Sequence, residues 1–156
     1  MLLLLLLFFF RGYSQTKKNL DLIICIDEEI AVGAISSPNV EIIKGKERKN
    51  IDISYYPGNL SLSQDDYEEI MSTQTDTIFL KFYYNLVTEN NHYLHGYKIE
   101  LKKEWLYDYY NILRIYNLDK NKYSKIFNTS NGDGTFVYEL DSPSHGFRLI
   151  RKRYKR

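Results

Sequence analysis

Across residues 78–86 every second position is large and apolar: Ile78, Leu80, Phe82, Tyr84 and Leu86. Between them, Phe79, Lys81, Tyr83 and Asn85 are mixed in character. Side chains alternate faces along a strand, so only extended backbone gathers this apolar set on one side. The alternation returns at Tyr97, Ile99 and Leu101, interleaved with Lys98 and Glu100. The polar stretch 88–91 separates the two runs, which predicts a long antiparallel hairpin pairing 78–86 with 97–101.

Weaker forms of the pattern recur. Ile51, Ile53 and Tyr55 alternate with polar residues until Pro57-Gly58 stops the run. Phe136, Tyr138 and Leu140 form another inward set, and 147–153 follows a turn at 141–144, predicting a second hairpin. Residues 20–26 are apolar on both faces and predict a central strand, with 40–43 a further candidate. One helix is expected near residues 63–72, where Ser63 can cap, Asp66 lies three positions on, and Tyr67, Ile70 and Met71 share a face. In 105–118 a short turn or helix at Trp105 should precede a strand. Roughly seven to nine short strands separated by turns predict a mainly β chain, a single antiparallel β-sandwich, Ig-like or similar.

At the front, Leu2 to Phe10 is an unbroken run of Leu and Phe, followed by Arg11 and the small residues Gly12 and Ser14. As a helix this run spans ~14 Å against a hydrocarbon core of ~30 Å, so it suits a secretory leader and not a membrane span. The expected division is a signal peptide at 1–14 and one β-rich domain at 15–156, secreted or periplasmic, with no stable membrane span in the mature chain. Cys25 follows Leu22-Ile23-Ile24, but bulky Ile24 and polar 14–21 do not fit a lipoprotein cleavage box, so no lipid anchor is expected.

The 21 Lys and Arg face 20 Asp and Glu. Arg11 falls in the leader, so the mature chain balances, which argues against a nucleic-acid binder or a globally cationic membrane binder. With one cysteine no internal disulfide can form, and Cys25 in its apolar run is expected to be buried and inert. The 15 tyrosines can mark a protein- or glycan-binding surface, although Tyr also suits strands.

Candidate chemistry is sparse. His92 and His95 lie three apart, which in a strand sends them to opposite faces, so no metal site is expected there. The 131–134 turn resembles a calcium loop but has Thr129 and Leu140 where carboxylates are needed, so neither metal nor cofactor is predicted. Asp65, Asp66, Glu68 and Glu69 read as a solvated face favoured by the helix dipole, and Asp27-Glu28-Glu29 as a loop after the first strand. No nucleophile motif or phosphate loop stands out, and no catalytic residue is assigned. Arg148, Arg151, Lys152 and Arg153 form a basic patch, expected on an edge strand where cations discourage pairing with other chains. The expectation is a non-enzymatic binding module of the bacterial cell envelope, with an envelope protein or glycan as partner and Tyr83, His92, Tyr93 and His95 as contact residues. The alternatives are a small envelope hydrolase using histidine and carboxylate groups, or an enzyme inhibitor or immunity protein.

Overall fold

The computed structural model describes residues 16–87, 92–127, 136–144 and 146–152. The expected leader, the turns at 88–91 and 131–134, His145 and Arg153 lie outside the described residues. In chain order the elements are β1 (Lys17–Leu20), β2 (Leu22–Ile26), β3 (Glu29–Ile30), β4 (Ile35–Lys44), β5 (Glu47–Asp52), β6 (Ser54–Tyr56) and β7 (Asn59–Ser63). Helix α1 (Gln64–Met71) follows, then β8 (Thr77–Val87), β9 (His92–Leu101), a 3-10 turn (Lys103–Tyr107) and β10 (Asn111–Asn117). Helix α2 (Asn121–Ile126), β11 (Phe136–Ser142) and β12 (Gly146–Lys152) complete the described chain.

The alternating run at 78–86 behaves as its pattern requires. Strands β8 and β9 pair antiparallel with Ile78 opposite Leu101, Leu80 opposite Ile99 and Phe82 opposite Tyr97. All six of these side chains are buried, whereas Tyr84 is half-buried, so the hairpin leaves the core toward its tip. Ser63 caps α1 as expected, its Oγ accepting from the Asp66 amide at 3.1 Å. The 3-10 turn and β10 follow the order expected around Trp105, and β12 lies at a sheet edge.

The chain is mainly β, and its sheets are antiparallel apart from one pair. Among the described residues there are three of them, where a sandwich has two: β12-β11-β10-β2-β3, β5-β4-β8-β9 and β1-β7-β6. The described strands are more numerous than the alternation suggested because two apparent single strands divide and because β3 and β7 were not anticipated. Residues 20–26 break at Asp21 into β1, which pairs with β7, and β2, which pairs with β10. The run around Ile51–Tyr55 breaks at Ile53, leaving β5 in the four-stranded sheet and β6 in the three-stranded one. Each break carries the chain from one sheet to the next without interrupting its hydrophobic pattern. The β2–β10 pair is parallel, with Ile24 opposite Leu113, and β2 pairs beyond it only with the two-residue β3. The candidate at 40–43 is the middle of the ten-residue β4, whose register shifts between Ser36 and Asn39, around Pro38.

All three sheets contribute to one core. Ile24 and Ile26, Val40 and Ile42, Leu60 and Leu62, Leu113 and Ile115, and Tyr138 are packed together with Ile70 of α1. Each such side chain contributes about 1.5–3 kcal/mol on burial. The unexpected helix α2 makes a second, smaller cluster in which Leu118, Tyr123, Phe127 and Val137 pack with Tyr116. Six residues without a side-chain cap cannot sustain a helix alone, so α2 depends on this packing. It covers the outer side of β11, whose residues 136–140 are buried on both faces.

Where β2 has no ladder partner, its backbone is satisfied by other means. The Ile24 amide donates to the Tyr55 hydroxyl at 2.8 Å, and the Leu22 carbonyl accepts from Gly58 at 2.9 Å. Gly58, at φ +83°, supplies the left-handed step that ends the β6–β7 turn. Burial pushes the Tyr55 hydroxyl up to about 12.

Candidate functional site

The run Trp105-Leu106-Tyr107-Asp108-Tyr109-Tyr110 is rich in aromatic residues, and its local fold sorts these rings. The 3-10 turn buries Trp105, whose carbonyl accepts from the Asp108 amide at 3.2 Å and from Asn111 Nδ2 at 2.9 Å. The Asn111 amide donates to the Asp21 carbonyl at 2.8 Å, tying the start of β10 to the sheet switch between β1 and β2. Held from within, the loop exposes the rings at its rim: Tyr107 is 71 % exposed and Tyr109 89 %.

Facing that loop, β1 and α1 supply the other wall. Lys18 Nζ lies 4.9 Å from the centre of the Tyr67 ring, a cation–π contact, and burial pushes the Tyr67 hydroxyl up. The result is an open cleft of about 320 Å³ between Lys18, Asn19, Leu20 and Asp21 on one side and Leu106, Tyr107, Asp108 and Tyr109 on the other, with Tyr67 beside them. Asp108 is anchored by the Ser144 hydroxyl.

Behind the cleft lies a smaller cavity of about 20 Å³, enough for one water- or methyl-sized group. Leu20 and Leu106 line both spaces, and the remaining lining is Leu22, Leu60, Leu101, Trp105, Leu140 and Asn111. Asn111 is 6 % exposed, yet among the described residues its Oδ1 has no hydrogen-bond partner. A buried acceptor left unpaired costs about 1–3 kcal/mol. Exposed aromatic rings beside a few polar groups around an open cleft are features that ligand sites commonly have.

A second polar cluster sits at the opposite end of β10. Asp27 and Glu28 form the tight β2–β3 turn, both at positive φ, 53° and 75°. The Asp27 carboxylate accepts from the Asn117 amide at 2.9 Å and Nδ2 at 2.8 Å, and pairs with Lys120 at 2.8 Å. Asn117 Oδ1 in turn accepts from the Tyr97 hydroxyl at 2.7 Å. On the outer face of β4, Glu41 is buried among Lys98 at 2.8 Å, Lys81 at 3.2 Å and Arg48 at 3.9 Å; hydrogen bonds from Lys98 and Lys81 hold its carboxyl low. Glu69 of α1, expected to be solvated, joins Lys44 of β4 and Lys49 of β5, whose hydrogen bonds lower its carboxyl. These groups hold the fold together.

The contact residues expected from sequence are not brought into one site. Tyr83 and Tyr93 are each 48 % exposed, but the β8–β9 register puts them on opposite faces, with Tyr83 opposite Gly96 and Tyr93 opposite Leu86. The Tyr83 ring lies across Gly96, where an added Cβ would sit 3.3 Å from it. Tyr93 and His95 share a face, their rings 6.4 Å apart, and His92 stands opposite Val87 in the ladder. All four belong to the tip half of the hairpin, at the other end of β9 from Leu101 and the aromatic cleft. In the basic patch, Arg148, Arg151 and Lys152 fall on β12, paired with Leu140, Val137 and Phe136 of β11. The cleft tyrosines were legible only as an aromatic-dense run next to Trp105; nothing local paired them with Tyr67. Comparison with protein-family models, curated proteins and solved structures finds no match to this chain.

Proposed function

We propose that this protein is a secreted or periplasmic, non-enzymatic binding module of the bacterial cell envelope, built as a β-sandwich of the five- and four-stranded sheets with the three-stranded sheet closing one end. The observation that carries the reading is the cleft in which Tyr67, Tyr107 and Tyr109 meet rim groups of β1. Exposed tyrosines offer broad, stiff contact area at low entropic cost and a hydroxyl for orientation. That combination suits a protein or glycan ligand and moves the expected contacts from the hairpin tip to the 3-10 turn. The leader-like run at 2–10 supports export, and among the described residues no helix is long and apolar enough to cross a membrane.

The test is retention of envelope components on immobilised mature protein, compared between wild type and the double variant Tyr107→Ala/Tyr109→Ala. Retention by wild type that the double variant loses supports the reading. Equal retention by both proteins removes the cleft from it. N-terminal sequencing of secreted product should begin at Gln15; recovery from the cytoplasm with Met1 intact defeats the export part.

A further inference from the structure

The strands at the sheet edges differ in what keeps them from pairing with another chain. An edge presents backbone N–H and C=O groups on which a further strand can be built, and charges, prolines or short length keep such an edge single. Among the described residues, β3 and β6 are two and three residues long, β1 carries Lys17 and Lys18, and β12 carries Arg148, Arg151 and Lys152. On β5, one edge of the four-stranded sheet, Glu47, Arg48, Lys49 and Asp52 leave only Asn50 and Ile51 uncharged. The opposite edge of that sheet is β9, ten residues long, and its half from His92 to Tyr97 contains no Lys, Arg, Asp, Glu or Pro.

Two hydrogen bonds fix which groups of β9 face away from the sheet. The Asn85 amide donates to the Ala34 carbonyl at 2.8 Å, so odd residues of β8 turn their backbone polar groups toward β4 and even ones toward β9. Tyr93, His95 and Tyr97 stand opposite those even residues and return the ladder bonds, which leaves Leu94 and Gly96 turned outward. The Glu100 carbonyl, on the same side by alternation, accepts from the Tyr138 hydroxyl at 3.4 Å and not from β8. Apolar surface flanks this edge on both sheet faces, with exposed Tyr83 and Leu94 on one and exposed Tyr93 on the other. Paired antiparallel about a two-fold axis at His95, two such edges set Leu94 of each copy opposite Gly96 of the other. Beside it lies the Tyr83 ring, which crosses that glycine. With 21 cations against 20 anions, two chains do not repel at long range. Isologous pairing consumes both β9 edges, and the charged β5 strands then end the joined sheet. We infer that β9 is a homodimerisation edge, which joins the four-stranded sheets of two copies by antiparallel pairing centred on His95. This goes beyond the cleft reading and leaves the cleft open, because the cleft lies at the other end of β9.

The test is sedimentation equilibrium of the full mature chain from micromolar to millimolar concentration, with residue-resolved amide hydrogen exchange at both ends of that range. The mass should double as concentration rises. The outward amides of Leu94 and Gly96 should slow in the dimer, while those of Tyr93 and His95, already bonded to β8, should change far less. Leu94→Lys and Leu94→Glu, at an exposed position, should each stay monomeric because like charges meet across the axis. An equal mixture of the two should regain the doubled mass. A monomer at every concentration, or a dimer that Leu94→Lys leaves intact, overturns the inference. So does a dimer whose Leu94 and Gly96 amides exchange as fast as in the monomer, or growth beyond the dimer. A foreign protein held by a monomeric chain and lost with Leu94→Lys also overturns it, since the edge then serves another strand. Tyr107→Ala/Tyr109→Ala should dimerise as the wild type does; loss of the dimer in that variant places the contact at the cleft and refutes the β9 assignment. Failure of the dimer thus leaves the cleft reading standing, and failure of the cleft leaves the dimer standing.

Discussion

Strand β10 begins and ends with asparagine, and the two residues live in opposite circumstances. At the end, Asn117 uses its amide, its Nδ2 and its Oδ1, joining Asp27 and Tyr97 in a closed network. At the start, Asn111 uses Nδ2 on the Trp105 carbonyl and leaves Oδ1 buried, without a partner among the described residues. Both side chains are of one chemical type on one strand of one sheet. A satisfied buried network specifies a fold, whereas an unsatisfied group in a recess is a cost the fold carries unless something else meets it. On that ground the Asn117 end specifies the fold more strongly than the Asn111 end.

The largest expected effect lies beneath the structural end. Phe82, 2 % exposed, packs on Tyr97 with ring centres 5.3 Å apart, and Phe82→Ala should cost about 3–5 kcal/mol. A loss below ~1 kcal/mol in denaturant titration would show that the Tyr97 network stands without its apolar support. Next, Asp27→Ala leaves the Asn117 amide and Nδ2 without acceptors and should cost about 3 kcal/mol. Asn111→Ala, by contrast, removes one hydrogen bond together with the orphan acceptor, so its cost should stay near 1 kcal/mol. If the two substitutions cost the same, the distinction between the ends of β10 is gone.

Alkaline pH probes the buried tyrosines. Burial first, with a hydrogen bond to the Glu139 carboxylate adding to it, pushes Tyr116 up to about 12; burial likewise raises Tyr55 to about 12 and carries Tyr97 well above its ordinary value. A phenol held neutral by the fold binds its proton more tightly folded than unfolded. Its contribution is therefore complete below the unfolded value near 10 and is lost as pH rises from there toward 12. Melting temperature should hold up to about pH 9 and fall steeply between about pH 10 and 12. Tyr55→Phe should flatten part of that fall while costing about 1–3 kcal/mol at neutral pH, because the Ile24 amide loses its acceptor. The smallest stability effect belongs to the cleft rim: Tyr107→Ala and Tyr109→Ala should change stability by no more than about 0.5 kcal/mol while abolishing retention of ligand. A rim substitution that unfolds the protein would make the exposed tyrosines structural after all.

Much of the architecture was already written in residue order. Period-two alternation determined the β8–β9 hairpin and which of its faces is buried, because strand geometry allows one answer for Ile78, Leu80 and Phe82. Ser63 determined where α1 starts, and the cation-rich terminus foretold an edge strand in β12. Alternation states which face is covered but not by what. Nothing local marks Asp21 and Ile53 as crossings between sheets, or makes β2 the parallel neighbour of a strand as distant in sequence as β10. Helix α2 is too short to announce itself and exists because β10 and β11 offer it an apolar bed. The candidate site belongs to this second class: Tyr67, Lys18 and Tyr107 come from α1, β1 and the 3-10 turn, and only their packing around Leu20 and Leu106 gathers them at one cleft. Sequence determined the strands because strand periodicity is a property of neighbours; the tertiary structure decided the site because burial and hydrogen-bond satisfaction depend on residues that are neighbours only in space.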